Sequence, residues 1–202
     1  MKKGQSQIVS ALIIVLIGLS ILGTVFPWAV SIIQKKKDAK SVDDVYNFFK
    51  KLDSTIVDRA RNGGEESLEL KVPGKITVYP ESYSGALNNS IVFMFESKVS
   101  NIANSTTWIP LNTPNLNETG ILGIDKSAVI FGKSTLGDNE ITVQYKLWFR
   151  ELEDETTRNI YKISITTSDD TEKQSTQGFF RVQRLSSNKV GNLIKTQINI
   201  IV

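Results

Sequence analysis

The densest clusters of chemistry-bearing side chains in this sequence are Glu65-Glu66, Asp169-Asp170, and Glu151 with Glu153, Asp154 and Glu155. Paired carboxylates can share a proton for general acid–base work or hold a hard cation. A calcium loop needs about six to eight oxygen ligands at defined spacing, and none of these runs has such a pattern. Solvated turns flanking strands account for them. Histidine and cysteine are both absent. That excludes a Ser-His-Asp triad, a Cys-His pair, a zinc site with His or Cys ligands, and any disulfide. No glycine-rich phosphate loop is present either. The inventory points away from an enzyme, and no metal or cofactor is expected.

Trp108, Trp148 and Phe149 could form a sugar platform. In an alternating strand, however, Tyr145, Leu147 and Phe149 face one side and Lys146 and Trp148 the other, which favours core packing. Three N-x-Ser/Thr sequons place candidate glycosylation at Asn88, Asn104 and Asn117. Chance supplies about that many at this Asn, Ser and Thr content, but all three fall in expected loops. The formal net charge is +3. Much of the basic excess flanks an apolar segment, at Lys2, Lys3, Lys35, Lys36 and Lys37, which suits anionic headgroups. No basic face with interleaved aromatic platforms is evident, so no nucleic-acid partner is expected.

These side chains must be positioned by two kinds of element. Residues 8–33 carry no charge. As a helix they would span about 39 Å, enough to cross a hydrocarbon core of about 30 Å with some tilt. The run is too long for a secretory h-region, and no A-x-A site follows it. Beyond Lys35 the helical period continues: Val42, Val45, Phe49, Leu52 and Ile56 form one apolar stripe. Asp43, Asp44, Lys50, Lys51, Asp53 and Asp58 lie mostly on the other side. Asn62-Gly63-Gly64 is a helix stop. One long helix is therefore expected over about 6–61, kinked at Pro27, which lacks the amide for one helical bond. The stripe could pack on the chain's own head or pair two chains in a short coiled coil; the small number of heptads favours the head. Gly18 and Gly23, with Ser10 and Ser20, offer small faces for close helix approach.

From Ser67 the period becomes two. Strands are expected over 68–72, 75–79, 91–95, 127–131, 141–150, 159–167, 178–185 and 193–202. The separators are Pro73-Gly74, the loop 80–89, the Asn/Thr-rich loop 101–120, Gly132-Lys133-Ser134, the acids 151–155, Ser168-Asp169-Asp170 and Ser186-Ser187-Asn188. The fold class is α+β: a long N-terminal membrane-spanning helix continuing into an amphipathic one, then an antiparallel β-sandwich or β-sheet head.

The amino terminus adds a resemblance. The stub Lys2-Lys3-Gly4-Gln5 before a long apolar helix resembles the class III signal peptide of archaeal type IV pilin-like proteins, in the superfamily that includes the archaellins. The resemblance implies cleavage by a prepilin peptidase after Gly4, leaving Gln5 as the first mature residue. Many pilins carry a Glu at the fifth mature position, where this chain has Val9. The implied divisions are 1–4 as signal stub, 5–34 as transmembrane and filament-core helix, 35–62 as its amphipathic continuation, and 63–202 as an extracellular β-rich head. The implied partners are the membrane, further copies or other pilin-like subunits, the peptidase, an assembly ATPase and a platform protein. Counting Lys2 and Lys3 against Lys35, Lys36, Lys37 and Lys40 would instead place the head in the cytoplasm. The outside assignment thus rests on the resemblance and the Asn/Thr-rich head. The implied function is structural: a major or accessory subunit of a type IV pilus-like filament. The alternative is an uncleaved single-pass surface protein whose β domain binds an envelope partner or a motility stator.

Overall fold

A computed structural model describes the backbone of residues 2–138 and 140–202, with side chains from Ser10 onward. The chain forms two compact units, the residues up to Asp38 and Ala39–Val202.

One helix, α1 (Lys2–Asn62), runs through both and continues past Pro27. It stops where glycine allows a left-handed turn: Gly63 and Gly64 have φ of 78° and 82°. The Gly63 amide donates to the Arg59 carbonyl at 2.8 Å, satisfying one of the helix's orphan acceptors.

The remainder of the larger unit is twelve strands in two six-stranded sheets. The strands are β1 (Glu65–Glu69), β2 (Lys75–Tyr79), β3 (Ser90–Ser97), β4 (Ile109–Pro110), β5 (Thr119–Ile121), β6 (Ala128–Leu136), β7 (Ile141–Phe149), β8 (Glu151–Glu153), β9 (Ile160–Thr166), β10 (Lys173–Ser175), β11 (Phe179–Val190) and β12 (Leu193–Ile201). The first sheet has the order β1-β11-β12-β9-β8-β5 and the second β10-β2-β3-β7-β6-β4. The apolar-rich β3 sits inside the second sheet, between β2 and β7.

Several sequence expectations are corrected. The head is not wholly antiparallel: β12 pairs with β9, and β5 with β8, in parallel. Between β9 and β12 the chain crosses to the other sheet as β10 and returns as β11, which leaves β9 and β12 pointing the same way. Gly132-Lys133-Ser134 is no separator but lies inside β6. A Cβ at Gly132 would come within 2.6 Å of the Ile102 side chain, so this glycine makes room for packing rather than for a turn. Ser186-Ser187-Asn188 likewise lies inside β11, next to a bulge between Arg184 and Ser186. The reversal comes later, where Gly191 has φ 60°. The acids 151–153 form β8, and the 101–120 loop contains β4 and the start of β5.

One apolar core joins the helix to both sheets. Val42, Val45, Phe49, Leu52 and Ile56 are all at most 1 % exposed. Phe49 packs on Tyr145 of β7 with ring centroids 5.7 Å apart, and Phe48 packs on Phe180 of β11 at 5.0 Å. The Tyr145 hydroxyl donates to the Val42 carbonyl at 3.3 Å. Burial of each such aliphatic or aromatic side chain contributes about 1.5–3 kcal/mol. On the opposite face of β7, Lys146 is nearly buried between the rings of Trp108 and Phe131, 4.9 and 4.4 Å from their centroids. Burial lowers its pKa. Phe149 is in the core, whereas Trp148 packs against Phe131 outside it.

Candidate functional sites: an uncovered apolar helix and a cleft in the head

In the first unit the helix exposes its large apolar side chains. Leu12, Ile14, Leu16, Leu22, Phe26, Trp28 and Ile33 are 54–70 % exposed. The helix is long and apolar enough to cross a membrane, and none of its apolar window is buried. Two of its hydroxyls are bonded within the helix. The Ser20 hydroxyl donates to the Leu16 carbonyl at 2.8 Å, and the Thr24 hydroxyl to the carbonyls of Ser20 and Ile21. Hydrocarbon requires that economy, because it offers polar groups no partner. Nothing lies within 4 Å of a Cβ placed at Gly18 or Gly23, so a second helix could approach closely there. Lys2, Lys3, Gly4 and Gln5 have helical backbone, but the processing motif lies outside the residues whose side chains are described.

The larger unit holds a cleft of about 640 Å³. One wall is the last turns of α1, with Asp53, Val57, Ala60 and Arg61. The facing wall is the first sheet, with Leu152 of β8, Tyr161 and Ile163 of β9, and Ile194 and Thr196 of β12; Leu122, Lys126 and Ser127 complete the rim. Asp53, grouped by the sequence with the solvated face of the helix, instead lines this cleft. Its carboxyl is half-buried and has no hydrogen bond or ion pair among the described residues. Burial raises its pKa from 3.8 to about 6, against the opposing pull of the Lys126 ammonium.

The cleft's rim is held by Arg150, whose side chain is fully buried. Its Nε donates to the Lys126 carbonyl at 2.8 Å, and its Nη1 to the Asn115 and Asn117 carbonyls at 3.0 and 3.3 Å. Its Nη2 lies 3.5 Å from Asp125. The Asp125 carboxylate also accepts the Ile121 amide and the Asn115 carboxamide, and these contacts, led by the Ile121 amide, lower its pKa. One guanidinium thus fixes both ends of the 115–126 segment.

Next to the cleft the first sheet carries a charge network. Lys162 pairs with Glu81 at 2.9 Å and with Glu151 at 3.0 Å, and Lys195 pairs with Glu81. Burial alone would raise the Glu81 pKa. The bonds from Lys195, Ser164 and Lys162 overcome it and hold the carboxyl at about 2. A shallower hollow of about 270 Å³ lies beside Glu81 and Lys195.

No protein-family model, curated protein or solved structure matches this chain. Its functional reading therefore rests on its own residues. Asn88, Asn104 and Asn117 are each exposed, although the Ser90 of the first sequon is fully buried and donates to the Leu87 carbonyl. The acidic runs form no group of three or more side chains able to hold a metal among the described residues. Glu151 is committed to Lys162, Glu153 to Arg158 and Asp169 to Lys173. Composition singled out neither Asp53 nor Arg150. Asp53 fell within a helical charge pattern, and Arg150 followed a strand as one basic residue among many. Only the fold reveals that each is withdrawn from water.

Proposed function

We propose that this chain is a membrane-anchored structural subunit, major or accessory, of an extracellular type IV pilus-like filament. The observation that carries the reading is the uncovered apolar surface of residues 12–33. A span of exposed Leu, Ile, Val and Phe needs hydrocarbon or other helices around it. Gly18 and Gly23 leave room for helix–helix contact, and internally bonded Ser20 and Thr24 are compatible with either environment. Assembly would bury this surface of one chain against the same surface of others. The basic stub Lys2-Lys3-Gly4-Gln5 supports processing by a prepilin peptidase, and the head would lie outside the cell.

Intact-mass measurement and N-terminal sequencing of the protein from its native membrane test this. A chain that begins at Gln5 supports the filament reading despite Val9. A chain that retains Lys2 to Gly4 overturns it and leaves the second reading, a permanently anchored surface protein whose head binds an envelope partner. The cleft beside Asp53 favours that alternative.

A further inference from the structure

We propose that the cleft between the last turns of α1 and the first sheet binds a small soluble anionic amphiphile, an acidic head on an apolar body. The size fits. At about 640 Å³ the cleft falls within the range of about 300–1,000 Å³ typical of small-molecule sites. The walls fit as well, since Val57, Ala60, Leu152, Ile163 and Ile194 line it with aliphatic surface from two opposing elements.

Charge selects the head. Arg61 and Lys126 line the cleft, and neither side chain forms a hydrogen bond or an ion pair within 4 Å among the described residues. The other charged groups there are already engaged: Asp125 by Arg150, and Lys162 by Glu81 and Glu151. Among the lining residues what remains is two cations, Lys126 facing the carboxyl of Asp53 and Arg61 near Asp58 outside the lining, a net positive lining that favours an anion over an amine. Tyr161 and Ser127 are also lining residues whose hydroxyls make no hydrogen bond among the described residues, which leaves two further donors for an acidic head. Asp53 limits the choice further. Lys126 is already drawn toward that carboxyl, so an acidic head must share Lys126 with Asp53 and rely on Arg61 for the rest of its charge compensation. This proposal does not depend on filament assembly.

The test uses the full chain in phosphatidylcholine nanodiscs, with Ile, Leu and Val methyl groups observed by NMR and octanoate as the probe. Saturable shifts are expected at Leu152, Ile163 and Ile194, and octylamine at equal concentration should give none. The rim variant Arg61→Gln with Lys126→Gln should weaken octanoate binding at least fivefold. Ala60→Trp should abolish it by filling the cleft, with unchanged methyl resonances of Ile91 and Val143, core residues outside the cleft, certifying the fold. Absent shifts, equal response to octylamine, or full binding by the rim variant would each overturn the proposal. Displacement of the same methyls by phosphatidylglycerol discs without octanoate would assign the site to a lipid headgroup and overturn the soluble ligand.

Discussion

The Asn89 carboxamide accepts the Ile165 amide at 2.8 Å. The same group donates to the Phe149 carbonyl at 3.0 Å and to the Ile163 carbonyl at 2.9 Å. Phe149 ends β7 in the second sheet and Ile163 and Ile165 belong to β9 in the first, so one buried side chain ties the sheets together. Asn89 also has φ 54°, a conformation that asparagine tolerates better than most residues.

Asn89→Ala leaves two carbonyls and one amide without their partner in a dry environment. Each lost bond of this kind costs about 1–3 kcal/mol, so a total loss of at least 2 kcal/mol is expected. Asn89→Gly relieves the backbone but not the bonds and should recover less than half of the loss. Urea unfolding of the full chain in detergent, followed by near-UV circular dichroism, measures both. Equal stability of the Ala variant and the parent would show that water replaces the carboxamide.

Arg150 presents the same logic with a charge. Arg150→Met removes the donor to three carbonyls and strips Asp125 of its cation. The main loss is at the carbonyls, each left without its donor at a cost of about 1–3 kcal/mol. Arg150→Lys should recover little, because an ammonium cannot reproduce the fork that reaches Lys126, Asn115 and Asn117 together. Hydrogen exchange should quicken first in the 115–126 segment, since Arg150 holds both of its ends. Uniform acceleration across β9 and β12 instead would mean that Arg150 supports the whole sheet.

Asp53 and Glu81 give opposite pH responses. Asp53 has a folded pKa raised to about 6 from 3.8, so its ionisation opposes folding. The cost is absent below pH 4, grows between 4 and 6, and is complete above 6. Asp53→Asn should therefore stabilise the fold at pH 7, by at most about 3 kcal/mol from the size of the shift, and leave it unchanged at pH 3.5. Glu81 has a folded pKa depressed to about 2 from 4.5. Its contribution is complete above pH 5 and disappears as the pH falls through 4.5 toward 2. Glu81→Gln should destabilise the fold at pH 7 and have little effect at pH 2. Urea midpoints for the two variants across pH 2–8 check both signs, and a pH-independent difference in either would refute its assignment.

The helix stripe was legible because burial repeats at the helical period over Val42, Val45, Phe49, Leu52 and Ile56. The alternation in β2, β3 and β7 was legible for the corresponding reason. Turn composition misled at Gly132-Lys133-Ser134 and Ser186-Ser187-Asn188. The first glycine yields to Ile102, and the second segment follows a bulge, and neither circumstance is visible locally. The parallel partnership of β9 with β12 depends on an excursion through β10 and β11, which no local pattern records. Asn89, Arg150 and Asp53 were unreadable for a related reason. A polar side chain discloses its burial only through residues distant in sequence, such as Ile165, Asn115 or Lys126.

Phe49 tests the helix as part of the head's core. It is fully buried, and its ring meets Tyr145, whose hydroxyl bonds the Val42 carbonyl one helical segment earlier. Phe49→Ala removes the ring and leaves a cavity between α1 and β7, at a cost of about 3–5 kcal/mol. Phe49→Leu retains most of the volume and should cost less than half as much. The two possible roles of the stripe predict different concentration dependence. A stripe buried in its own head loses the same stability at every protein concentration. A stripe that pairs two chains gives an unfolding midpoint that rises with concentration, and Phe49→Ala would remove that rise. Urea unfolding of the full chain at two detergent-to-protein ratios, a hundredfold apart in protein concentration, separates them, and a concentration-independent midpoint with a large Phe49→Ala loss is expected.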